Sequence, residues 1–384
     1  MGTSVVGLAV LGSTGSIGCQ TLDVVRALGD RFRVIGLAAG RNVTLLEEQA
    51  REFSPRFIFY DGNESRRNGV IGLEGAVCIS MEEMAAHPDV DLVVVATVGK
   101  AGLSPTLSAL AAGKTVALAN KEALVMAGGI VTEAARRGRG EIRPVDSEHS
   151  AIWQCLRGEK SASISRLILT ASGGALRDRS LDDLRLVTPE QTLCHPTWQM
   201  GRKVTVDSAT LLNKGLEAIE ARWLFDVPLD RIEIVLHRES IVHSLVEFAD
   251  GSMKAQLGLP DMRLPIQVAL CHPDRPAVPG GARLDLKQVG PLHFEALDLR
   301  RYPCLGLALE AGHRGGTYPA VLAAADEVAV AHFLAGRIGL TEIPRVIERA
   351  LEAHDGVSDP MLDDILAADA WARQQAEDMI GAKA

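Results

Sequence analysis

Two oxygen-rich segments carry the residues best suited to chemistry. Asp146-Ser147-Glu148-His149 sets two carboxylates close together. The run Ser208-Ala209-Thr210-Leu211-Leu212-Asn213-Lys214-Gly215-Leu216-Glu217 adds a hydroxyl, an amide, an ammonium and a third carboxylate. Three carboxylates suit a hard cation, Mg2+ or Mn2+, better than a soft one, and an ion so held polarises a carbonyl oxygen. If residues 143–148 are extended, Asp146 and Glu148 share one face. Asn213, Lys214 and Glu217 have the spacing of one helical surface. The plainer alternative makes all of these surface acids beside a helix cap, since nothing local joins residues 148 and 217. Ser208, Asn213 and Lys214, with Ser172 on the turn Ser172-Gly173-Gly174, offer the donors that a phosphate dianion needs. The alternative for Asp207-Ser208 is a simple helix cap.

Between these segments lies His195-Pro196-Thr197-Trp198-Gln199-Met200-Gly201. It reads either as a lid that lays Trp198 over a substrate and excludes water, or as a packed turn. His149 reads as a structural histidine rather than a ligand. Cys194 precedes His195, and neighbours in a strand point apart, which disfavours a Cys–His nucleophilic pair.

A glycine loop stands upstream: Gly12-Ser13-Thr14-Gly15-Ser16-Ile17-Gly18, directly after the apolar run Val5 to Leu11. Between a strand and a helix, such a loop cradles a pyrophosphate on free N–H groups and the helix dipole. The glycine spacing differs from the common GxGxxG, and a ligand-free turn is the alternative. At the end of the next strand stands Ala39-Gly40-Arg41-Asn42, where an acid would favour NAD. Arg41 and Asn42 fit a 2′-phosphate instead, so NADPH is expected over NADH, unless Arg41 is merely solvated.

The elements that must position these groups follow from pattern. Residues 1–145 alternate short apolar runs with helical periodicity. The densest run, Val90 to Ala96, is expected to be buried on both faces of a parallel sheet. A Rossmann-like doubly wound sheet is therefore expected. After Pro144 the pattern changes to strands at Ile164–Thr170, Arg231–Val235, Ile241–Phe248 and Ser252–Leu257, with helices near 150–156 and 211–224. That is a central α/β catalytic domain with a mixed sheet, placed at 146–273. Residues 274–302 read as a linker rich in Pro and Gly. Residues 303–384 read as a C-terminal helical bundle.

The chain of 384 residues exceeds one core. Its net charge of -9 argues against nucleic acid or an anionic membrane as a partner. The six cysteines form no CxxC pair, which fits reduced thiols. The N-terminal apolar run reads as a strand, not a signal peptide, and no stretch reaches the ~20 apolar residues of a membrane span. A cytoplasmic protein is expected.

In these motifs the chain resembles the 1-deoxy-D-xylulose 5-phosphate reductoisomerase family. The likeness rests on LGSTGSIG (11–18), AGRN (39–42), LANKEALV (118–125), PVDSEH (144–149), LTASGG (169–174), HPTWQMGRKVTVDSATLLNKGLE (195–217), QLGLPDMRLPI (256–266) and GGTYPAVLAAADEVAV (315–330). The resemblance implies a homodimer acting on a small phosphorylated sugar with NADPH and Mg2+ or Mn2+. It implies Asp146, Glu148 and Glu217 as metal ligands, Lys121 as the active-site lysine, and Ser147 against substrate hydroxyls. Ser172, Ser208, Asn213 and Lys214 would form the phosphate cluster, and His195, Trp198 and Met200 the flap. His195 is counted with the catalytic set. Gly12, Ser13, Thr14, Gly15, Ser16, Ile17, Gly40, Arg41, Asn42, Asn120, Glu122 and Gly201 would meet the cofactor. Two departures are Ala175-Leu176-Arg177 after the glycine pair and Asp326 where many relatives carry Asn.

Overall fold

The computed structural model describes residues 5–61, 75–277 and 283–382. The chain forms two compact units: Met1–Ala123 with Val131–Ser150 and Asp261–Ala282, and Leu124–Ile130 with Ala151–Pro260 and Arg283–Ala384.

The first unit is built on a seven-stranded parallel sheet, β1 (Val6–Leu11), β2 (Phe32–Ala39), β3 (Phe57–Tyr60), β4 (Val77–Cys78), β5 (Leu92–Val95), β6 (Thr115–Leu118) and β7 (Glu141–Pro144), in the order β4-β3-β2-β1-β5-β6-β7. Every residue of β5 is buried, as a β-branched run covered on both faces must be. The chain steps outward from β1 to β4, then crosses to β5 on the other side of β1. That reversal is the switch point at which open α/β sheets bind ligands. The helix Ser16–Leu28 packs Thr21, Leu22, Val24 and Val25 inward at helical spacing. A late segment completes this core: the helix Arg263–Cys271 buries Ile266, Ala269 and Leu270 against Leu22 and Val25. Arg143 Nη1 donates to Ala269 O at 3.0 Å, and Arg31 pairs with Asp274 at 2.6 Å.

The second unit holds a four-stranded sheet, β8 (Ile164–Ala171), β9 (Ile232–Leu236), β10 (Val242–Phe248) and β11 (Met253–Leu257), in the order β11-β10-β8-β9. β10 runs antiparallel to both β8 and β11, while β8 and β9 are parallel, so the sheet is mixed. Four helices, Pro303–Arg314, Tyr318–Leu334, Ile343–Ala353 and Leu362–Gly381, form the C-terminal bundle. Tyr318–Leu334 is buried nearly all round, which fits its run of alanine and valine. Of the stretch rich in Pro and Gly, residues 278–282 lie outside the described residues; Glu295 forms a bridge with Leu236. Among the described residues no helix is long and apolar enough to cross a membrane.

One expectation is corrected here. Residues 143–148 are not one extended run: β7 ends at Pro144 and a helix starts at Ser147. Glu148 therefore sits in a first helical turn, where the helix dipole favours its negative charge.

Candidate active site

The glycine loop follows from steric limits. Gly12 has φ +90°, and a Cβ there would lie 2.4 Å from Ala96 O at the end of β5, so only glycine lets the loop close over the switch point. A Cβ on Gly18 would lie 2.2 Å from Gly12 O, so the third glycine seats the helix Ser16–Leu28 flush on the loop. Gly15 caps this helix without a side-chain hydrogen bond, and Gly15 and Ser16 are exposed. Such an uncapped N-terminus presents N–H groups to an anion. Ser13 is buried, and its carbonyl accepts Gln49 Nε2 at 2.9 Å. Thr14 and Ile17 are half-buried.

At the end of β2, Gly40, Arg41 and Asn42 are exposed. Asn42 Oδ1 accepts the N–H of Leu45 at 3.2 Å, so Asn42 also caps the helix Val43–Phe53. Asn120 is buried. Its Oδ1 accepts the N–H of Ala123 at 3.0 Å, and its Nδ2 donates to Thr97 O at 2.9 Å and Gly99 O at 2.8 Å. This amide ties the turn after β5 to the helix after β6. Glu122 is buried in the first turn of that helix.

Beside it, Lys121 Nζ lies 2.9 Å from Asp146 Oδ2, with both side chains nearly out of water. Glu148 donates its N–H to Asp146 Oδ1 at 3.4 Å, and Ser147 Oγ donates to Glu148 Oε2 at 2.6 Å. His149, fully buried, keeps Nδ1 3.7 Å from Asp146 Oδ1. The two partly buried carboxylates, Asp146 and Glu148, are oxygen donors of the kind a hard divalent cation takes, and the Lys121 ammonium offsets part of their charge.

In the second unit the helix Arg202–Thr210 stops at Leu211, whose φ is 55°, and a new helix, Leu212–Phe225, begins at once. A leucine in the left-handed region costs about 1–3 kcal/mol and is held only where its surroundings insist. Ser208 therefore stands near the end of one helix, not at its start, so the helix-cap alternative for Asp207-Ser208 fails. The next helix carries Asn213, Lys214 and Glu217 along its first turns. The Asn213 amide and the Lys214 ammonium both contact the Glu217 carboxylate, as their spacing predicts. Lys214 and Glu217 are buried.

The turn after β8 places Ser172 here too. A Cβ on Gly174 would lie 2.5 Å from Ser208 O, so this turn lies directly on the helix end that bears Ser208. His195 Nε2 stands 3.0 Å from Ser172 Oγ, while His195 Nδ1 accepts the N–H groups of Trp198 at 2.9 Å and Thr197 at 3.2 Å. The accepting Nδ1 fixes the tautomer, so Nε2 donates to Ser172. Burial, and then the Arg177 guanidinium, push the His195 ring down to about 4. It is neutral at pH 7. Arg177 itself donates to Ser172 O at 2.8 Å. Composition gave no reason to single it out; its place three residues beyond the turn Ser172-Gly173-Gly174 is the only local signal.

Trp198 is half-buried with its ring 6.0 Å from that of His243, and Met200 is half-buried. Gly201 is exposed at the start of the helix Arg202–Thr210, with nothing near the position of a Cβ. Cys194 is exposed, and its Sγ donates to Glu190 O at 3.3 Å. His195 is committed to Ser172, so no Cys–His nucleophilic pair forms.

A glycine loop closed over the switch point of a parallel sheet places this chain among the dinucleotide-dependent oxidoreductases. Three family descriptions match it in succession: 1-deoxy-D-xylulose 5-phosphate reductoisomerase over residues 8–128, the C-terminal domain of that enzyme over 142–225, and the DXP reductoisomerase C-terminal domain over 257–375. The 1-deoxy-D-xylulose 5-phosphate reductoisomerase of Pelotomaculum thermopropionicum is 52% identical over 374 residues, which cover 95% of this chain and 96% of that one. That of Geobacillus kaustophilus is 52% identical over 376 residues, covering 95% and 97%. A crystal structure of DOX-P reductoisomerase in complex with NADPH, fosmidomycin and magnesium superposes with a TM-score of 0.91 at 40% identity, covering 98% of each chain. The Zymomonas mobilis enzyme in complex with NADPH gives 0.90 at 41% identity, covering 98% and 99%. The chain belongs to the 1-deoxy-D-xylulose 5-phosphate reductoisomerase family and is an enzyme.

Proposed function

We infer that this chain performs its family's reaction, the NADPH- and divalent-metal-dependent rearrangement and reduction of 1-deoxy-D-xylulose 5-phosphate to 2-C-methyl-D-erythritol 4-phosphate in non-mevalonate isoprenoid biosynthesis. The observation that carries this reading is the near-full-length likeness to a reductoisomerase crystallised with NADPH and magnesium together. We assign residues 1–145 to NADPH, 146–273 to catalysis and metal apart from the helix Arg263–Cys271, which packs into the core of the first unit, 274–302 to a linker and 303–384 to the helical domain. A cytoplasmic homodimer completes the proposal.

When bound, the ion supplies polarisation of the substrate's carbonyl and NADPH supplies the hydride. Asp146, Glu148 and Glu217 would hold the ion. Lys121, paired with Asp146, would balance charge next to it, and Ser147 would meet the sugar hydroxyls. Ser172, Ser208, Asn213 and Lys214 would take the phosphate. Because His195 Nε2 already donates to Ser172 Oγ, the serine's own hydrogen is left to point at a phosphate oxygen. Anchoring that remote group orients the reacting carbons and helps close the segment 195–201, with Trp198 and Met200, over them. Gly12 to Ile17, Gly40 to Asn42, Asn120, Glu122 and Gly201 would meet NADPH.

Purified protein with NADPH, Mg2+ and 1-deoxy-D-xylulose 5-phosphate should oxidise the cofactor and yield the branched erythritol phosphate. No oxidation with either Mg2+ or Mn2+, with NADPH binding intact, would overturn the substrate assignment.

A further inference from the structure

The helix Arg202–Thr210 carries Ser208 and follows directly on Gly201. Its Lys203 reaches two carboxylates. Asp207 Oδ2, one turn along the same helix, is 2.7 Å from Nζ, and so is Asp326 Oδ2 on the helix Tyr318–Leu334. Both acids are buried, Asp326 completely. The surrounding core is apolar, with Val206, Cys304 and Ala329 among its members. Burying two acids on one ammonium is costly, and well-packed apolar side chains would stabilise such a contact as well or better. What the arrangement gives instead is register. An ammonium with two fixed acceptors tolerates few placements of one helix against the other. Ser208 rides one residue beyond Asp207, and the Ser172 turn is laid on the same helix end through Gly174. A shift of this helix moves both serines.

We propose that Asp326 is a positioning residue of the phosphate pocket: through Lys203 it holds the helix Arg202–Thr210, and so Ser208 and Ser172, where the phosphate is taken. This rests on the assignment of those serines to phosphate made above. Burial, then the neighbouring Asp207 carboxylate, push the Asp326 carboxyl well above the usual carboxylate range despite Lys203. Asparagine is the conservative replacement, since its amide oxygen keeps an acceptor for the Lys203 ammonium in the same place.

The test is steady-state kinetics with inorganic phosphate as a competitor of the sugar phosphate. Asp326→Ala should raise the sugar-phosphate KM and the phosphate inhibition constant together by about tenfold, the loss of one charge-assisted hydrogen bond. Asp326→Asn should restore both raised constants. Ser208→Ala calibrates the reading. If it leaves phosphate inhibition unchanged, the phosphate assignment itself fails. If Ser208→Ala weakens phosphate but Asp326→Ala does not, or if Asn and Ala at 326 behave alike, the positioning role is overturned. Should Asp326→Ala fail to fold, Lys203→Gln removes the shared ammonium and is judged by the same constants.

Discussion

His195 gives its Nε2 hydrogen to Ser172 Oγ at 3.0 Å because its other ring nitrogen is occupied by the N–H of Trp198 at 2.9 Å. The ring thus links the segment 195–201 to the turn after β8 in a single tautomer. Burial and Arg177 hold it neutral, down to about 4. In the unfolded chain a histidine titrates near 6.5. Between pH 6.5 and 4 the unfolded state therefore binds a proton that the folded state refuses, and stability falls as pH falls through that window. Thermal denaturation at stepped pH should show this slope, and His195→Gln should flatten it. An unchanged slope in the variant would remove His195 as its source.

Arg41 is exposed at the end of β2 and makes no ion pair among the described residues. If it meets a 2′-phosphate, Arg41→Ala should raise the KM for NADPH by about tenfold, the worth of a charge-assisted hydrogen bond, and leave the KM for NADH alone. Equal changes for the two cofactors would show that Arg41 does not distinguish them.

Glu217 is buried against Asn213 and Lys214. Glu217→Gln keeps the shape but removes the charge offered to a divalent ion. Such ions supply several kcal/mol of charge stabilisation, so kcat should drop about a thousandfold. NADPH affinity, read by fluorescence quenching, should be unchanged. A variant retaining wild-type turnover and metal dependence would take Glu217 out of the ligand set.

Cys194 Sγ donates to Glu190 O, and His195 Nε2 is bonded to Ser172 Oγ. An aldehyde-dehydrogenase chemistry would need this thiol as nucleophile. Cys194→Ala should therefore keep full turnover with 1-deoxy-D-xylulose 5-phosphate, and loss of turnover in a folded variant would revive the thiol mechanism.

The helix Lys121–Gly138 is kinked at Ala127, and the next residue, Gly128, lies under Trp223. A Cβ on Gly128 would fall 2.2 Å from the indole. Gly128→Ala should cost about 1–3 kcal/mol by overpacking, seen as a lowered Tm. Combining it with Trp223→Leu should recover part of that loss. An unchanged Tm for the single variant would mean the indole moves freely.

Legibility in the sequence followed how local the cause was. The helix after the glycine loop, Ser16–Leu28, was readable, because glycine spacing and apolar periodicity both act within a few positions. The strands of the mixed sheet lay within one residue of their expected bounds: β8, β9 and β10 are rich in β-branched and apolar residues, and β11 is set off from β10 by the turn Asp250-Gly251. The start of a helix at Ser147 was not readable, because Ser-Glu-His-Ser shows no apolar period. Nor was the helix break at Leu211, where a leucine adopts a conformation that its type disfavours. The donor types of the site were visible as chemistry, but their partners were not. Lys203 and Asp326 become neighbours only through tertiary packing, which no short-range pattern encodes.

The helix Arg263–Cys271 carries a further meaning for how this protein is made. During synthesis the seven strands of the first sheet leave the ribosome well before Ile266, Ala269 and Leu270, which complete their core. The whole mixed sheet of the second unit emerges in the interval. The nascent first unit must therefore wait with an open apolar socket, a species exposed to aggregation and to chaperones. A polypeptide released after Ser150 would keep that socket open permanently.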